Sequence, residues 1–172
     1  MTTDFEPRIY VACLAAYNNG YLHGAWIDAT QGVSELQDQV NSMLAASPIA
    51  GAEEYAIHDY EDFGGAFISE YAGLPDVSEI ASFLAEHGTL AAVTLKDSFG
   101  DLSAARSMLE RYAGCYTSVA AFAEECAEQW YEIPDQLAYY IDYEAMARSL
   151  QLGGEIEVVT EGFEEVHIFW GQ

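Results

Sequence analysis

Five carboxylates and an imidazole stand together in EEYAIHDYEDFGG (Glu53–Gly65): Glu53, Glu54, Asp59, Glu61 and Asp62 beside His58. Closely spaced acids and an imidazole are the raw material of a metal site or of acid–base catalysis. The spacing suits neither. A calcium loop begun at Asp59 puts Phe63 at its fifth position, where an oxygen ligand is required, before Glu70 at its twelfth. His23, His58, His87 and His167 show no H-E-x-x-H and no clustered spacing. The chain has no G-x-S-x-G, no Walker A and no G-x-G-x-x-G. With 29 acids, a carboxylate pair can be chosen almost anywhere, so no pair is singled out. The expectation is a protein without catalytic residues, metal or cofactor, and not an enzyme.

The elements that must position these acids can be read from periodicity. RIYVACLAAY (Arg8–Tyr17) is rich in strand formers, Asn18-Asn19-Gly20 is a turn signal, and Leu22–Ala29 reads as the returning strand of a hairpin. Val33–Ala46 places Val33, Leu36, Val40, Met43 and Leu44 on one helical face, and Glu54–Tyr60 reads as a third strand. Asp76, with Glu79 three residues on, has the spacing of a capping box for a helix that stops at Gly88. Thr89–Ser98 fits no single element. Leu102–Ala113 reads as a helix with Gly114 as its C-cap. Ser118–Trp130 is the clearest helix, with a core stripe of Phe122, Cys126 and Trp130. Pro134 starts a short helix, Asp142 caps another that Gly153-Gly154 ends, and Glu155–Thr160 with Glu165–Trp170 form a closing hairpin. With no repeated βαβ rhythm, the expected fold is α+β with a helical middle.

Charge is the outlying property. The 172 residues carry 29 acids and 5 bases, Arg8, Lys96, Arg106, Arg111 and Arg148, for a net −24. Ile9–Leu95 contains 12 acids and no Lys or Arg. So negative a chain should not bind nucleic acid or an anionic membrane directly; cations and basic protein surfaces are its natural partners. Cys13, Cys115 and Cys126 are too scattered for a disulfide framework and are expected to be reduced, buried and cytoplasmic. No secretory signal and no apolar run of about 18 residues stands out. Were the helix to run to Glu132, Glu124, Glu128 and Glu132 would form a row one turn apart, with Glu125 alongside. Each like-charged i, i+4 pair costs a helix about 0.2–0.5 kcal/mol. Three explanations stay open: adaptation to high salt, an acidic metal-binding protein, and imitation of a polyanion. Carboxylates one helical turn apart, or two residues apart on a strand, are separated by about 5–7 Å, a coarse match to phosphates along one DNA strand.

Several blocks resemble the antirestriction protein ArdA family. They are PRIYVACLAAYNNGYLHGAWIDA (Pro7–Ala29), AEEYAIHDYEDFGG (Ala52–Gly65), ERYAGCYTSVAAFAEE (Glu110–Glu125), YIDYEAMARSLQLGGEI (Tyr140–Ile156) and EVHIFW (Glu165–Trp170). The resemblance implies a DNA mimic, encoded on mobile elements, that occupies the DNA-binding groove of type I restriction–modification enzymes at their specificity and modification subunits. Restriction, and with it modification, of incoming DNA would be blocked. It implies an elongated homodimer whose subunits have three small domains: 1–62, a β-sheet with a helix; 63–103, helical; and 104–172, α/β and dimer-forming. On this resemblance the phosphate-mimicking surface comprises Glu53, Glu54, Asp59, Glu61, Asp62, Glu70, Asp76, Glu79, Glu86, Glu110, Glu124, Glu125, Glu128, Glu132 and Asp135. Thr117, Ala120, Ala121, Ser149 and Gln151 stand where relatives often carry or would tolerate acids, so a lower charge density is expected there. Arg106, Arg111 and Arg148 are expected in internal ion pairs, with a role at the dimer interface as the alternative.

Overall fold

The computed structural model describes residues 4–172, which form a mixed α+β chain. Its contacts divide it into two compact units, one ending at Ala105 and the other running Arg106–Gln172.

The first unit is built on a three-stranded antiparallel sheet, ordered β2-β1-β3, from β1 (Arg8–Cys13), β2 (Gly24–Asp28) and β3 (Tyr55–Glu61). Ile9 and Val11 alternate along β1 and are fully buried, with Ile27 opposite Ile9 and Ile57 opposite Val11. The intervening Arg8 and Tyr10 therefore point to the other face, as pleating requires. The expected hairpin is present, but its connection differs. Leu14–Asn18 is a short helix, α1, whose start is capped by the Cys13 Sγ accepting from the Ala16 N–H. The strand formers after Cys13 thus yield to a local cap, and the return to β2 takes a longer route than a tight Asn-Gly turn.

Helix α2 (Val33–Ala45) lays Leu36, Val40 and Met43 into the core, and Glu35 in its first turn complements the helix dipole. Val33, expected on the buried face, is exposed. Helix α3 spans Leu74–Asp97 with Gly73, not Asp76, as N-cap; Pro75 occupies the opening positions, where a missing N–H costs nothing. Asp76 instead lies in the first turn, so the expected capping box does not form there. At Gly88 the backbone takes φ 57° and ψ −136°, a conformation open to glycine. The expected stop is thus a kink, and Thr89–Ser98, unassigned by periodicity, continues as helix into a second apolar run through Ala91 and Leu95.

Helix α4 (Leu102–Glu110) contains the division between the units. It ends earlier than expected. Tyr112–Tyr116 is strand β4, and Gly114 sits inside it with φ 148° at a register shift rather than capping a helix. A Cβ at Gly114 would come within 2.9 Å of the Tyr116 ring. The second sheet is ordered β4-β6-β5, all antiparallel, with β5 (Ile156–Gly162) and β6 (Glu165–Trp170) forming the expected hairpin. Helices α5 (Val119–Trp130) and α7 (Tyr143–Leu152) pack on it, with short α6 (Asp135–Ala138) between them in sequence. Phe122, Cys126, Leu150, Ile156 and Ile168 form the core of this layer. Ser118 and Asp142 cap α5 and α7, accepting from the N–H groups of Ala121 and Ala145 at 3.1 and 2.9 Å. Trp130, expected to close the core stripe, is half-exposed at the end of α5. Cys115 is also exposed, because its strand position faces away from that core; Cys13 and Cys126 are buried as expected.

Candidate functional site

All 29 carboxylate side chains lie in the described residues, and every one belongs to an exposed residue. The 15 acids expected to imitate phosphates are therefore all at the surface. They differ in what else they touch.

On the first sheet, residues paired across strands point to the same face. Arg8 stands between Asp28 on β2 and Glu61 on β3, and Tyr10 stands between Trp26 and Asp59. The outward face thus carries Asp28, Asp59 and Glu61 around one guanidinium. Arg8 Nη1 lies 3.1 Å from Glu61, and the guanidinium carbon is 5.4 Å from the centre of the Trp26 ring. Although Ile9–Leu95 holds no Lys or Arg, a base thus stands against one of the Glu53–Asp62 acids. Strand pairing carries Arg8 across 53 positions of sequence to Glu61, a distance invisible to a local reading. Asp62, at a positive φ of 62°, accepts from the Glu6 N–H, and Asp59 accepts from the Tyr60 N–H at 2.8 Å. Glu53 and Glu54 precede β3, and the Glu54 carbonyl accepts from the Leu14 N–H at 3.0 Å.

His58 is the extra residue at a β-bulge, since Tyr10 pairs with Asp59 and Val11 with Ile57. It lies edge-on to Tyr17, with ring centres 4.9 Å apart, and its Nε2 is 3.8 Å from the Glu70 carboxylate. The Glu70 segment is fastened to β3 by the Ile57 N–H donating to the Glu70 carbonyl at 2.9 Å. Glu86 lies 3.9 Å from His87; Asp76 and Glu79 are exposed on the first half of α3.

In the second unit, Glu124, Glu125 and Glu128 occupy the solvent side of α5, opposite the buried Phe122 and Cys126. Glu132 does not extend their row, because the helix ends at Trp130 and Tyr131 turns extended at φ −129°, ψ 145°. Glu125 accepts from the Tyr116 hydroxyl at 3.1 Å. Loss of hydration first, and then the charges of Glu124 and Glu128, hold the Tyr143 phenol above its usual range. Glu110 ends α4 and Asp135 opens α6, both exposed. Arg111 lies 3.2 Å from Glu157 and donates to the Trp170 carbonyl, forming one of the expected internal pairs; Arg148 is exposed.

Among the described residues, no three His, Cys, Asp or Glu side chains converge closely enough to hold a metal ion. No helix among them is long and apolar enough to cross a membrane. An open recess of about 540 Å³ is lined by Tyr17, His58, Asp59, Phe67 and Glu70 among others. Sequence reasoning missed its aromatic wall; the Phe67 and Tyr17 rings carry no periodic signal that marks them as neighbours.

These features define a class: a small α+β protein that displays all its carboxylates at the surface. The family model of the antirestriction protein ArdA matches residues 9–165, and the chain belongs to that family. The chain matches no individual curated protein.

Proposed function

We propose that this antirestriction-family protein acts as a DNA mimic. It occupies the DNA-binding groove of type I restriction–modification enzymes, on their specificity and modification subunits, and blocks restriction and modification of incoming mobile DNA. It performs no catalysis and binds neither nucleic acid nor membrane directly. The observation that carries this reading is that all 29 acids are exposed in a chain with 5 bases. Exposed like charges repel one another and burden the fold, so their retention calls for a partner that supplies the counter-charge. Of the 15 acids, Glu53, Glu54, Asp76, Glu110, Glu124, Glu128, Glu132 and Asp135 are the strongest candidates for groove lysines and arginines. Glu61 is the weakest, because Arg8 already holds it.

Three parts, 1–62, 63–103 and 104–172, and a cytoplasmic homodimer formed through the last of them, complete the reading. Support for self-association comes from the run 130–140, where Trp130, Tyr131, Leu137, Tyr139 and Tyr140 are all exposed. A soluble monomer has little use for so many exposed rings in so short a stretch.

The test is competition. The protein is titrated against labelled duplex DNA for a type I methyltransferase core at low and moderate salt. Mutual exclusion that weakens as salt rises is expected, because both polyanion and groove release counterions on binding. Simultaneous binding of protein and duplex would rule the reading out.

A further inference from the structure

The recess beside β3 has a composition that charge alone does not call for. Its floor is the bulged strand, with Asp59 on one side and Glu70 on the fastened segment opposite. Its walls are aromatic: Tyr17, 54% exposed, and Phe67, 79% exposed. No Lys or Arg lines it. A phenylalanine left so open beside two carboxylates gains nothing from water. It offers a face to a cation, and the carboxylates offer that cation hydrogen bonds.

The same sheet shows how these groups hold a guanidinium. Arg8 lies over Trp26 at 5.4 Å and bonds Glu61 at 3.1 Å, so one ring and one carboxylate grip one arginine. The recess sets the same parts, aromatic rings and carboxylates, two residues along β3. A smaller recess in the second unit, about 240 Å³, repeats them again, with Glu128 and Asp135 beside Tyr131 and Tyr143.

We infer that the recess formed by Tyr17, His58, Asp59, Phe67 and Glu70 is a socket for an arginine side chain of the partner protein. The planar guanidinium lies against the Phe67 ring and donates to Asp59 and Glu70. His58 lies edge-on to Tyr17 and 3.8 Å from the Glu70 carboxylate in the same lining. An ammonium has no flat face to stack, so the socket prefers arginine to lysine. The identity of the partner rests on the antirestriction reading; the chemistry of the socket does not.

The experiment uses the full chain and three short blocked peptides that differ in one residue, arginine, lysine or its uncharged isostere citrulline. Binding is followed at fixed ionic strength by the ring resonances of Tyr17 and Phe67. The arginine peptide should shift both rings saturably, the lysine peptide more weakly, and citrulline not at all. Phe67→Ala and Glu70→Gln should each weaken arginine binding about two- to fivefold, and Glu144→Gln, an exposed acid of the second unit, should leave it unchanged. Phe67 is exposed and Glu70 is fastened through its backbone, so both variants keep the fold. Ring shifts absent with arginine, or a loss with Glu144→Gln equal to that with Glu70→Gln, would reduce the recess to general charge and overturn the inference. A methyltransferase arm separates the two readings. Arginine capture without enzyme binding leaves the socket standing and removes the antirestriction partner. Enzyme binding untouched by Phe67→Ala, with silent rings, does the reverse.

Discussion

Arg8 holds Glu61 at 3.1 Å on an exposed face, and both side chains are about half open to water. Exposed pairs contribute about 0–1 kcal/mol, so Arg8→Gln should change the urea midpoint little. It removes a positive charge from the acidic face and frees Glu61 for a partner. Tighter binding to the methyltransferase core at low salt is expected, with the gain fading as salt screens it; weaker binding would make Arg8 a scaffold for the surface. A second residue-scale consequence concerns alkali. Burial is the leading cause that raises Tyr55, Tyr112, Tyr116 and Cys126 above their ordinary values of 10.0 for Tyr and 9.0 for Cys. Their unfolded forms lose protons first, so the native state holds more protons than the unfolded one above about pH 9. Their stabilising contribution is full below that pH and is lost as pH rises through the raised native values. Urea midpoints measured from pH 8 to 11 should fall steadily over the upper part of that range.

Helix α5 shows stability and binding set against each other within one element. Glu124 and Glu128 lie one turn apart with no base between them, while Phe122 and Cys126 anchor the opposite side. Glu124→Gln or Glu128→Gln relieves one like-charged pair and should stabilise the protein by about 0.2–0.5 kcal/mol. The same change should weaken the enzyme complex, and the two together more than either alone. A thermal melt and the competition titration on the same sample check both signs. If stability and affinity both fell, the acids would be acting on the helix rather than toward a partner. Element boundaries were legible where a cap or an alternation marked them. Asp142 and the β5–β6 hairpin were read correctly for that reason, while Ser118, read as the first residue of its helix, is its N-cap. Gly114 misled because a glycine after an apolar helix resembles a C-cap, whereas here it relieves a bulge inside β4.

For the whole molecule, a net charge of −24 gives salt two opposite effects. Screening weakens self-repulsion, so the melting temperature should rise from low to moderate salt. Screening and counterion release weaken the complex, so affinity should fall over the same range. A plot of one against the other separates mimicry from halophilic adaptation. A protein folded at low salt, where its complex is tightest, fits mimicry. A chain unfolded until molar salt is added fits the halophile.

Family, charge and most helices and strands were determined by the sequence alone, because they follow from composition, short motifs and local periodicity. Which acids are free was not. Glu53 and Glu61 are alike in type and eight residues apart, yet only the sheet brings Arg8 to Glu61. Glu132 lost its place in a row because α5 ends two residues before it, and Tyr17 and Phe67 became walls of one recess only when β3, α1 and the Glu70 segment came together. Coulomb energy and hydrogen bonding act over a few ångströms in space, and only the tertiary structure turns distant positions of the chain into neighbours at that range.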